Sequence, residues 1–186
     1  TGSRNTLDER NAFRVLAGLR GDITDYINYD AYYSYARTRN SNVQAGNISR
    51  SAFQAGLDGS GSAINIFGPD TLTPDMVDQT SILAQNSDVS TLEVATAYLS
   101  GTFGDFAIGN AAPIGFALGG EYRRVASQFI PETALASGDV IGFNAGSPTE
   151  GSYSAKEIFG ELNIPVFETD AGMRLDLSAA GRYSDY

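Results

Sequence analysis

The strongest constraint on the fold lies in Lys156–Tyr186, KEIFGELNIPVFETDAGMRLDLSAAGRYSDY. Two long segments alternate apolar and polar residues around a short connection containing Pro165, Asp170 and Gly172. Side chains along a β-strand point to opposite faces with a period of two, so this alternation predicts a hairpin with one apolar and one polar face. Ile158, Leu162 and Ile164, then Leu175, Leu177, Ala179 and Tyr183, hold one parity. Glu157 and Glu161, then Arg174, Asp176 and Arg182, hold the other. A long strand of this kind suits a wall between lipid and water.

The same pattern occurs four more times. Arg10–Gly21 places Phe13, Val15, Ala17 and Leu19 on one face, and Tyr26–Arg39 does so with Ile27, Tyr29, Ala31, Tyr33 and Tyr35. Thr91–Phe103 alternates with poorly separated faces. In Ile114–Ala126, Ile114, Phe116, Leu118 and Tyr122 oppose Gly115, Ala117, Gly119, Glu121 and Arg123. With Ser152–Ile164 and Met173–Asp185 this predicts six strands of about 11–14 residues, against a mode of about 5–6 in globular sheets.

Short connections at Gly21–Asp25, Gly104–Pro113 and Pro165–Gly172 alternate with long polar loops at Asn40–Ser90 and Ser127–Gly151. In the first loop, Ser49–Leu57 and Thr73–Gln85 are predicted helices; Thr73 can cap the second, with Pro74 at its first position. Tilted strands need about 9–11 residues to cross a bilayer, and short turns opposite long loops are the outer-membrane barrel arrangement. A soluble sheet also has one polar and one apolar face. Strand length and loop asymmetry favour the membrane.

Other features mostly exclude. A net charge of −10 with no Lys/Arg cluster argues against nucleic acid. With no Cys and no His, disulfides, thiolate metal sites and His-based catalysis are ruled out. Glu157 and Glu161 could do acid–base work, but arginines of matching parity offer them a structural role. Asp58–Asn65 has the start of a calcium loop, yet Asp70 falls one residue late for the twelfth ligand. No enzyme, metal site or cofactor is predicted. The chain has no apolar run of transmembrane-helix length and no signal-peptide core; it opens in a polar segment and stops in a strand pattern, so a longer parent protein is expected.

Four stretches carry a family resemblance: NIFGPD (Asn65–Asp70), GGEYRR (Gly119–Arg124), KEIFGELNIPVF (Lys156–Phe167) and AAGRYSDY (Ala179–Tyr186). In this order the chain resembles, from Arg10 to Tyr186, the barrel of the proteobacterial TonB-dependent outer-membrane receptors. The resemblance implies an all-β antiparallel meander of six strands, residues 1–186 forming part of a 22-stranded barrel in the outer membrane of a Gram-negative bacterium. The plug domain, its TonB-binding segment and the closing C-terminal strands would lie outside this sequence. The long loops would face outward and take a large nutrient: a siderophore–iron complex, cobalamin or an oligosaccharide. Asn65 and Phe67 in the first loop, and Phe143 and Asn144 in the second, are the expected ligand contacts. Glu121, Arg123, Glu157, Glu161, Arg174, Asp176 and Arg182 are the expected lumen-facing charge network. The partners implied are the nutrient, TonB and outer-membrane lipid. A loop cysteine before the NIFG-like stretch is also implied, but Gly59–Ala63 supplies none. A passive porin-like channel and a soluble β-rich binding module are the rival readings.

Overall fold

A computed structural model describes residues 3–169 and 171–186; Asp170, in the expected third turn, lies outside them. Six strands form one antiparallel meander sheet in the order β1-β2-β3-β4-β5-β6. They are β1 (Asn5–Thr24), β2 (Ile27–Ile48), β3 (Ser81–Ala107), β4 (Pro113–Pro131), β5 (Thr149–Glu168) and β6 (Arg174–Asp185). Among the described residues three helices lie between them: α1 (Arg50–Asp58), α2 (Pro74–Thr80) and α3 (Thr133–Ser137).

The strands number as expected; β1 to β5 run longer than expected, up to 27 residues in β3, while β6 has 12. The extra length comes from stretches that read as loop or turn. Asn40–Ile48 and Ser81–Ser90 are strand, so the first long connection is 49–80 rather than 40–90. Asn and Ser in these stretches lower local β propensity, and pairing with neighbouring strands overrides it. Likewise Gly21–Thr24, Gly104–Ala107 and Pro165–Glu168 belong to strands. Pro165 stays in β5 beside a register shift between Pro165 and Phe167, a position that tolerates the missing N–H.

The helices follow local capping chemistry. Ser49 caps α1 by accepting from Ala52 N at 3.2 Å, and the helix stops at Gly59 in the left-handed conformation. Thr73 caps α2, accepting from Met76 N at 3.3 Å, with Pro74 in the first turn. This helix ends at Thr80, not Gln85, because Ser81 turns extended and begins β3. Nothing in the sequence reading anticipated α3.

Contacts divide the chain into two units. The first comprises Thr1–Ala12, Thr38–Ser90 and Ser127–Gly151; the second comprises Phe13–Arg37, Thr91–Ala126 and Ser152–Tyr186. Both long connections belong to the first unit and all three short ones to the second. The first unit has a small core of Ala84, Ala134, Leu135 and the fully buried Val140, with Ile82 and Phe143 packed against it.

The second unit is sheet alone, with segregated faces. On its apolar face Phe13 meets Tyr35 (centroids 5.9 Å apart) and Phe103 stacks on Phe116 (4.8 Å). In the β5–β6 register Ile158 opposes Tyr183, Leu162 opposes Ala179 and Ile164 opposes Leu177, as the alternation predicted. This face is open: Leu118, Ile158 and Tyr183 are 59%, 64% and 68% exposed.

Candidate functional site

The polar face of the second unit holds the predicted charge network, as three separate pairs. Glu121 and Arg123, two residues apart on β4, form an ion pair, and Thr96 Oγ1 donates to Glu121 Oε2 at 3.3 Å. On β6, Arg174 Nε donates to Asp176 Oδ2 at 2.7 Å. Arg182 Nη1 reaches across to Glu157 Oε2 at 2.9 Å. Of these three pairs among the described residues, the last is cross-strand, and the other two join neighbours on one strand. The cause is parity: residues i and i+2 share a face and lie close enough for a long arginine to fold back. Glu161 has no ion-pair partner among the described residues, and its opposite number is Ala180.

Aromatic groups share this polar face. Arg182 lies 5.4 Å from the centroid of the Phe159 ring, its register partner. Gly119 makes room between strands: a Cβ there would stand 2.5 Å from Tyr98 Cβ and 2.6 Å from Phe159 Cζ. On β1 and β2, Arg14 Nε donates to Ser34 Oγ at 2.9 Å. The face thus combines fixed ion pairs with aromatic surface.

The second candidate site belongs to the first unit, and Asp139 builds it. Its carboxylate accepts from Ser49 Oγ at 2.6 Å and from Ser51 N at 2.7 Å. The Asp139 carbonyl accepts from Arg50 N at 2.6 Å, and Ile141 N donates to the Ile48 carbonyl at 2.9 Å. The connection after β4 is thereby tied to the start of α1. These hydrogen bonds favour the charged carboxylate, Ser49's hydroxyl most, and hold the Asp139 pKa below its ordinary value. Beside the tie lies an open cleft of about 780 Å³. Arg50, Ser51 and Gln54 line one side, and Glu132, Thr133 and Ser137 the other. Glu132 is the α3 cap residue, yet its side chain makes no cap hydrogen bond. The cleft offers a guanidinium, a carboxylate, an amide and hydroxyls to a polar solute.

The four expected ligand residues are not brought into this cleft. Asn65 is engaged in a turn, its Oδ1 accepting from Phe67 N at 3.0 Å. Phe67 stands 83% exposed. Phe143 is half-buried against the small core, a packing role. Asn144 is exposed. Sequence reasoning missed Asp139, Arg50, Gln54 and Glu132. The one usable signal was Ser49, a cap residue; its partner lies 90 residues away, beyond any local pattern.

No helix among the described residues is long and apolar enough to cross a membrane, which says nothing of crossing by strands. Comparison with protein-family models, characterised proteins and solved structures found no match to this chain.

Proposed function

We propose that the chain is part of the barrel of a TonB-dependent outer-membrane receptor that imports a large nutrient. The observation that carries this reading is the second unit: an antiparallel sheet that leaves its apolar face open and gathers its ion pairs on the other. A charge on a lipid-facing strand costs about 2–4 kcal/mol near the midplane, a pressure that would produce such segregation. In this reading the apolar face meets lipid and the ion pairs line the lumen. The six strands supply part of a 22-stranded wall, and the loops of the first unit face outward. Transport is then ligand capture followed by energised movement of a plug, with TonB as the partner. The cleft beside Asp139 is the proposed outer contact for the nutrient, in place of Phe143.

The test uses cells that express the full-length protein. Membrane fractionation is expected to find it in the outer membrane, released only by detergent. Uptake of labelled ferric siderophore, cobalamin or maltodextrin is then compared with and without a protonophore. Uptake of one of these that stops with the proton gradient supports the receptor. Uptake that survives assigns a passive channel, and a product soluble without detergent overturns both membrane readings.

A further inference from the structure

We propose that loop 49–80 carries a docking surface for a cationic amphipathic peptide, anchored by Phe67. Phe67, Leu57, Ile66 and Leu72 are all exposed on this loop, Ile66 and Phe67 adjacent in sequence. An aromatic ring this open gains most from a partner that covers it, because burying apolar area is favourable and Phe carries a large area. The turn holds the ring outward. Besides the Asn65 bond, Thr71 Oγ1 lies within donating distance of the Asn65 and Gly68 carbonyl oxygens, at 3.0 and 3.1 Å. A group held in its binding position loses less freedom when a partner arrives.

Charge selects the partner. The loop carries Asp58, Asp70, Asp75 and Asp78, all exposed, against the single Arg50. No Lys, Arg or His occurs from residue 51 to residue 122. Asp58 is engaged by Ser60, whereas Asp70, Asp75 and Asp78 form no salt bridge among the described residues. Carboxylates without cationic partners, on the same loop as exposed apolar side chains, repel anions and attract cations. The matching ligand carries lysines or arginines interleaved with apolar side chains, and its cations can also sit over the Phe67 ring. This inference stands apart from nutrient import and needs only that the loop be accessible.

The experiment places the full-length protein in nanodiscs of zwitterionic phospholipid and titrates a labelled peptide of alternating Lys and Leu. Fluorescence anisotropy reads binding, with empty nanodiscs subtracted. Binding is expected to weaken about tenfold or more in Phe67→Ala, the loss that defines an interface anchor. The triple variant Asp70→Asn, Asp75→Asn, Asp78→Asn should weaken it similarly and flatten its salt dependence. All four side chains are exposed, so the variants should keep the parent circular dichroism. Unchanged binding by either variant overturns the proposal, as does equal binding of a Glu/Leu peptide. Self-association that is lost in Phe67→Ala, with no peptide binding, would assign the surface to a second copy and also overturn it.

Discussion

In the first unit, Ala84, Ala134, Leu135 and Val140 bury one another, and hydrogen-bonded loops enclose them. In the second, Leu118, Ile158 and Tyr183 lie open on one face while ion pairs occupy the other. The first arrangement is what water demands of any chain. The second leaves a broad apolar face without a protein partner, which in water is an aggregation liability and in lipid is a match of solvents. One meander thus carries two solutions, and substitutions on each should obey different rules.

The largest effect is expected from a charge on the open face. Leu118→Arg should cost about 2–4 kcal/mol if the face meets lipid at mid-depth. An exposed position on a soluble sheet would register within about 0.5 kcal/mol. Denaturant unfolding of the full-length protein in phospholipid vesicles separates the two. A cost under that smaller figure would break the contrast between the units and sink the lipid reading.

Gly119→Ala comes next. The new methyl would press on Tyr98, on the Phe159 ring and on the Ala97 carbonyl oxygen, 2.8 Å away. The ring can turn aside; the backbone carbonyl cannot. Overpacking of this kind costs about 1–3 kcal/mol. The same unfolding measurement should find the loss, and a neutral result would mean that β3 and β4 lie further apart than they do here.

How much of this was legible beforehand follows the range of each interaction. The alternation in β1, β2, β4, β5 and β6 depends on nearest neighbours, so these five strands and their faces could be read directly; β3 was legible as a strand, but its faces were not. The caps Ser49 and Thr73 are equally local and were visible. Strand ends were not: Asn40, Asn42 and Asn47 read as loop residues, yet pairing keeps them in β2. Of the candidate site residues, the ion-pair residues were found because parity groups them, although two pairs proved to be within a strand. Asp139 was invisible because its partners at Ser49 and Ser51 are about ninety residues away. Phe67 was noticed for its type, but only the structure shows that the ring stands clear of the loop.

The Asp139 tie sharpens the first unit's side of the comparison. Asp139→Ala removes acceptors from Ser49 and Ser51, and should weaken the α1 end of the loop by about 1–2 kcal/mol, a charged hydrogen bond discounted for partial exposure. Hydrogen exchange at the Ser51 amide is the local readout; the second unit's strands should not respond. Its pH dependence follows from the depressed pKa. A carboxyl held below its ordinary value stabilises the fold fully above the ordinary range, about pH 4. That contribution fades as pH falls through this range to the folded value. Protection of Ser51 should therefore be flat from neutral pH down to about pH 5 and decline below it. In Asp139→Asn the decline should vanish.

The smallest effect is expected where the second unit carries its charge. Arg182→Ala removes the bond to Glu157 and the contact with the Phe159 ring. Glu157 is nearly buried while Arg182 is largely exposed, so screening limits the loss. Exposed and half-exposed pairs contribute about 0–1 kcal/mol. A double-mutant cycle with Glu157→Gln isolates the coupling between the two. Coupling within that range, falling with salt, would mark a wetted polar face, as a lumen requires. Coupling well above it, unchanged by salt, would mean a dry pair, and the polar face would then belong to a packed interior like that of the first unit.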